Sequence, residues 1–182
     1  QKFSQAQAFF SSVLHLQPLS WARIGLIKAL QAQGDQAGAN AQIQQLSPKG
    51  ESRLFMLEQL AELEFQRQDF PQAQLLLEQA TQLAPRNLIR QQKLLQLSRL
   101  NHDYERQYKA ARDMVKFARH SMYEQPDLYL NLARACIDFA VIVDEDGETN
   151  KLSRQATDCL QSMRHHFPEA ELDQQQLVLQ AR

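Results

Sequence analysis

Apolar side chains recur at three- and four-residue intervals along most of this sequence, and no stretch alternates apolar with polar like a strand for more than a few residues. The clearest segment is FPQAQLLLEQATQLAP, residues 70–85. Ala73, Leu77 and Ala80 fall on one helical face there, and Pro85 ends the helix, because proline has no N–H for the ladder and clashes with the preceding turn. The same grid stands near the start of the chain in FSQAQAFFSSVLHLQP, residues 3–18, as Ala6, Phe10, Val13 and Pro18. It returns as Ala156, Leu160, Met163 and Pro168. Steps of four, three and five, met three times, predict one kind of helix written repeatedly.

In front of the second grid, SRLFMLEQLAELEFQRQD sets Leu57, Leu60, Ala61 and Glu64 on one stripe and closes on Asp69. SWARIGLIKALQAQGD does the same with Leu26, Ile27 and Leu30 and closes on Gly34-Asp35, where Gly suits the left-handed exit from one helix and Asp the cap of the next. Each unit reads helix, tight turn, helix, proline. The pattern predicts ten helices, at about residues 2–16, 19–33, 35–46, 51–68, 70–83, 87–101, 103–124, 127–143, 149–166 and 169–181.

These paired helices resemble the tetratricopeptide repeat, a 34-residue hairpin in which small residues let two helices approach closely and large ones fill the groove between repeats. The resemblance implies an all-α fold, a right-handed superhelical stack of hairpins over residues 1–182. It divides into a half repeat (1–18), repeats at about 19–50, 51–86, 87–126 and 127–168, and a terminal helix (169–182). Two units depart from the pattern. Gln107 stands where a small residue belongs, in a second helix that runs long through YERQYKAARDMVKFARHSM, and VIVDEDGETN adds about ten residues before the last grid.

The phrases PLSWARIGLIKALQAQGD, LAPRNLIRQQKLLQLSRLNHD and ARHSMYEQPDLYLNLARA are also similar to the repeat regions of bacterial response regulators, in which a phosphoacceptor receiver domain comes first. That resemblance implies a cytoplasmic signalling protein with a receiver upstream in the same chain, this stretch being its output or docking module. A first helix without its partner agrees with a fragment of a longer protein.

Composition supports helix: Leu, Ala, Gln, Arg and Glu lose little rotamer freedom in a helical turn, and only five glycines occur. The net charge of −1 gives no overall pull toward nucleic acid or an anionic membrane. It hides an asymmetry. Between Arg86 and Arg119 nine Lys or Arg face three acids, so the middle is basic. Within it Lys109, Arg112, Lys116 and Arg119 share one helical face, with Tyr104, Tyr108 and Phe117 interleaved. Such a stripe suits an acidic docking surface, or, as the rival reading, RNA or DNA. Cys136 and Cys159 lie in apolar patterns, where Cys acts as a small hydrophobe, and agree with a reduced cytosolic setting. No run of 18 apolar residues suggests a membrane span.

Catalytic chemistry is not indicated, and neither a cofactor nor a metal is implied. No glycine-rich phosphate loop is present. His165 and His166 are adjacent, so on a helix their rings diverge by about 100°. DEDGETN (144–150) lacks calcium-loop spacing, its glycine coming fourth and no glutamate standing twelfth.

Surface is what remains. In stacked hairpins the first helix of each pair lines a groove, and its positions outside the core are the contact residues. These are Trp21, Ile24, Lys28 and Gln31; Phe55, Glu58, Glu62 and Phe65; Ile89, Gln92, Gln96 and Arg99; and Leu130, Arg134, Ile137 and Asp138. The expected function is a non-catalytic scaffold that binds a protein or peptide. Phe9 and Phe10 on the unpartnered first helix add the expectation of a homodimer through that face.

Overall fold

The computed structural model describes residues 2–46, 53–143 and 146–168. Among these, every regular element is an α-helix: α1 (Lys2–Leu16), α2 (Ser20–Ala32), α3 (Gln36–Gln44), α4 (Arg53–Gln66), α5 (Phe70–Leu83), α6 (Leu88–Leu100), α7 (Tyr104–Ala118), α8 (Pro126–Ala140) and α9 (Asp146–His166). The fold is all-α, a succession of tetratricopeptide-like hairpins. The predicted terminal helix at 169–182 lies outside the described residues.

The repeat is written most regularly in its turns. Helices α2, α4 and α6 are each followed, two positions past their last residue, by a residue with positive φ: Gly34 (81°), Gln68 (63°) and His102 (55°). In each case the next N–H reaches back onto the helix, from Asp35 to Leu30 O at 3.0 Å, from Asp69 to Glu64 O at 3.0 Å and from Asp103 to Ser98 O at 2.9 Å. This satisfies carbonyls that a helix end would otherwise leave open. The same aspartates then cap the following helix, Oδ1 accepting from the N–H of Gly38 (2.8 Å), Gln72 (3.1 Å) and Arg106 (3.0 Å). Both sets of positions recur every 34 residues. The buried grid keeps the same step, Ala39, Ala73 and Gln107 heading α3, α5 and α7.

Contacts gather into two compact units, Gln1–Ala80 and Thr81–Arg182. In the first, α2 packs on both α1 and α3, and Ile27, Leu57 and Leu63 are fully buried. The Phe10 ring lies directly on Gly25. A Cβ built there would sit 2.4 Å from Phe10 Cζ, so only glycine lets the two helices meet this closely. Phe10 is thereby a half-buried packing residue, which corrects its assignment to the exposed face of α1. Phe3, Phe9 and Leu16 do remain exposed.

In the second unit α6 packs on α7, α7 on α8 and α8 on α9, around Leu95, Met114, Ala133, Cys136 and Met163. Two boundaries differ from expectation. Helix α7 stops at Ala118 instead of running to about 124: Arg119 turns extended (ψ 132°), His120 takes φ 61°, and Ser121 Oγ donates to Ala118 O at 2.5 Å. Helix α9 starts at Asp146, so the second half of VIVDEDGETN is its first turn instead of a loop. Residues 144 and 145 lie outside the described residues.

Candidate functional site

In the first unit, α2 and α4 carry two of the predicted contact stripes. Trp21 is 49% exposed and Phe55 45%. Further along the same two helices Lys28 Nζ donates to Gln59 Oε1 at 2.8 Å, tying α2 to α4. Trp21 meets Phe10 edge to face, centroids 6.4 Å apart, which holds its indole against α1 while leaving half of it open. Phe65 is exposed but leans on Phe70 at the head of α5, centroids 5.5 Å apart. Gln31, Glu58 and Glu62 are half-buried. Ile24 is not part of a surface. It is 3% exposed and belongs to the core, on the stripe it shares with Ile27 three residues on.

In the second unit, Ile89, Gln92 and Gln96 are exposed along α6. Arg99 is half-buried and its Nη2 donates to Asn131 Oδ1 on α8 at 2.9 Å. Arg134 is half-buried one turn further along α8. Burial first, then the charge of Arg134, hold the Arg99 guanidinium below its ordinary pKa, while Asp138 pushes it back up. Asp138 Oδ2 in turn accepts from Gln107 Nε2 on α7 at 2.8 Å. Asn131 and Gln107 complete this cluster and did not stand out in the sequence as contact residues. The signal was present, since Asn131 lies three residues before Arg134 on the same helix face. Leu130 is buried among the core of the unit, contrary to its predicted place on the surface, and Ile137 is half-buried.

The basic stripe on α7 is less free than its spacing implies. Lys109 pairs with Glu105 one turn back. Arg112 Nη2 lies 3.5 Å from Asp113 Oδ1, and its guanidinium sits 5.8 Å from the Tyr108 ring centroid. Lys116 Nζ is 5.4 Å from the Phe117 centroid. Arg119 is past the helix end, so it does not continue the stripe. Tyr108, a candidate for stacking on bases, is already stacked on Phe139 (centroids 5.7 Å, 23°), and its hydroxyl donates to Gln155 Oε1 at 2.9 Å.

A third polar cluster joins the α7–α8 turn to the end of α9. Tyr129 donates to Glu124 Oε1, His166 Nδ1 lies 3.1 Å from the same oxygen and 3.2 Å from the Tyr129 hydroxyl, and the His120 N–H donates to Glu124 Oε2 at 2.5 Å. His166 is thus spoken for within the fold. Among the described residues no group of three His, Cys, Asp or Glu is placed to hold a metal. Burial pushes the thiols of Cys136 and Cys159 up to about 12 and about 11, which leaves both as neutral packing groups at ordinary pH. Among the described residues no helix is long and apolar enough to cross a membrane.

No protein-family model matches the sequence, and no curated protein matches it. Solved structures do. MamA superposes with a TM-score of 0.55 at 14% identity, covering 90% of this chain and 91% of that one. The kinesin light chain TPR-like repeats of Podosopora anserina give 0.54 at 18% identity, over 92% and 90%. BtubC from P. vanneervenii gives 0.50 at 12%, over 94% and 92%. At these identities the likeness is one of fold, and the fold is that of tetratricopeptide-like helical repeats.

Proposed function

We propose that this chain is a non-catalytic docking scaffold whose first-helix faces receive a peptide or helix of a partner protein. The observation that carries the reading is the pair Trp21 and Phe55: two large aromatic side chains, each about half exposed, stand on successive first helices joined further along by the Lys28–Gln59 bond. Rigid aromatics flanked by amides and charges on helical supports supply binding area with little ordering cost, and such residues dominate interface energetics. Helical-repeat neighbours support the scaffold role in general terms.

In the finer form of this reading the scaffold is the docking half of a bacterial response regulator. The phrases at 18–35, 83–103 and 118–135 support that place for it. A receiver domain encoded in frame upstream is the expected observation, and a different upstream domain removes this finer form while leaving the scaffold.

The test of the scaffold is selection of a random peptide library on the purified protein. Selected peptides are expected to lose about ten-fold or more in affinity on Trp21→Ala or Phe55→Ala, as anchor truncation does. Failure to enrich any peptide, or binders indifferent to both substitutions, would reject it.

A further inference from the structure

The cluster between α6 and α8 points to the chemistry of one partner group. Arg99 bonds Asn131 on α8, Arg134 stands one helical turn beyond Asn131, and its charge bears on Arg99. Among the described residues neither arginine takes part in an ion pair. The nearby carboxylate, Asp138, is held by Gln107 from α7 instead. Arg99 Nε and Gln107 Oε1 are both buried without a hydrogen-bond partner, so the cluster's polar groups do not close among themselves. Two guanidinium groups gathered about Asn131, neither paired with a carboxylate, suit an anionic ligand. Adding Asp138 to the two arginines leaves one net positive charge, which one carboxylate matches and a phosphate dianion exceeds. The exposed Gln92 and Gln96 extend the same face along α6 with groups that both donate and accept, as a peptide backbone requires.

We propose that the α6–α8 face of the second unit binds an acidic peptide segment, one side-chain carboxylate seating between Arg99 and Arg134 beside Asn131. The inference rests on the scaffold reading and adds to it the sign and place of the charge. Arg134 brings the decisive guanidinium, since Arg99 is already committed in part to Asn131.

The experiment uses a fluorescein-labelled hexaglutamate peptide, a hexaglutamine peptide of the same length and inorganic phosphate as competitor. Hexaglutamate is expected to bind, hexaglutamine not, and Arg134→Gln to weaken hexaglutamate about ten-fold or more, with Arg134→Lys intermediate because a point charge replaces the planar fork. Lys116→Gln on α7 should leave binding unchanged. The proposal is overturned if Arg134→Gln binds hexaglutamate like the wild type, if hexaglutamine binds equally well, or if phosphate displaces the peptide at equal concentration. The random-library selection separates the two readings. Peptides anchored by Trp21 but indifferent to Arg134 refute only this inference, whereas no enriched peptide at all refutes both.

Discussion

Gln107 on α7 donates through Nε2 to Asp138 Oδ2 on α8 at 2.8 Å, although Gln107 occupies the position that Ala39 and Ala73 fill in α3 and α5. A small residue there lets helices approach. A glutamine, 1% exposed, must spend its amide on a partner, and Asp138 is that partner. Gln107→Ala should therefore destabilise the protein by about 1–3 kcal/mol, even though alanine is the residue of the neighbouring repeats, because a part-buried carboxylate loses its donor. A urea melt reads the change directly. An unchanged midpoint would mean that Asp138 finds an equivalent partner.

The turn positions give a prediction of opposite sign. Gln68 and His102 hold the left-handed conformation that Gly34 holds in the first turn, and a Cβ is unfavourable there by roughly 1–2 kcal/mol. Glycine has a more flexible unfolded chain, which offsets about half of the gain. Gln68→Gly and His102→Gly should each raise stability by up to about 1 kcal/mol, and Gly34→Ala should lower it by a similar amount. Thermal melts of the three variants decide; a loss on Gln68→Gly would show that its side chain contributes more than its backbone costs.

Gly25→Ala places a methyl where the Phe10 ring stands, with three ring atoms within 2.7 Å. The expected cost is about 1–3 kcal/mol from overpacking. Phe10→Leu in the same chain should recover part of it, so the double variant is less destabilised than the sum of the single ones. Strict additivity in chemical denaturation would mean that the ring simply swings aside.

Much of this architecture is legible in the chain itself. The helix pairs followed from the grid Ala73, Leu77 and Ala80, which is buried as the pattern requires. Gly34-Asp35 announced one turn correctly. Its two counterparts are harder to see, because Gln68 has no local preference for positive φ and the mild preference of His102 is far weaker than that of glycine. The end of α7 is hidden in the sequence for a different reason. Its apolar period continues through Phe117 to Met122, while the break is made by the Ser121 hydroxyl and the Glu124 carboxylate bonding to backbone groups. On the candidate faces, exposure could be inferred from period for Trp21 and Phe55 but not for Ile24 or Leu130, whose burial depends on how closely neighbouring helices approach. The Arg99–Asn131 bond joins residues 32 positions apart and needed the fold to be seen.

The Glu124–Tyr129 pair makes stability depend on pH at both ends. Burial, then the Glu124 carboxylate, push the Tyr129 phenol up to about 12 from an ordinary 10.0. A group raised in the folded state contributes fully below its unfolded pKa, and that contribution is lost as pH climbs from about 10 through about 12. Glu124 is shifted the other way, held below the ordinary carboxylate value first by the Tyr129 hydroxyl and further by the His120 N–H and His166, against the opposing effect of burial. Its contribution is present above the unfolded carboxylate pKa and lost as pH falls through the depressed folded one. Tyr129→Phe removes the phenol and the leading cause of the Glu124 shift together. Melting temperatures across the pH range should show a shallower fall on both limbs in this variant than in the wild type, and parallel curves would exclude the pair as a source of the pH dependence.

Charge reversal separates an acidic protein partner from nucleic acid better than salt does, because both would weaken as ionic strength rises. The two surfaces lie on different helices. A nucleic acid would track the α7 stripe, where Lys109 and Arg112 already have carboxylate neighbours, Arg119 has left the helix and Tyr108 is engaged with Phe139 and Gln155. Displacing those partners subtracts from whatever phosphate contacts would supply. Arg112→Glu combined with Lys116→Glu should therefore leave the affinity for hexaglutamate within about two-fold, while Arg134→Glu abolishes it. A labelled single-stranded RNA should show no binding near physiological salt that the α7 double variant removes. Tight RNA binding lost in that variant, with Arg134→Glu silent, would transfer the function from the first-helix faces to α7.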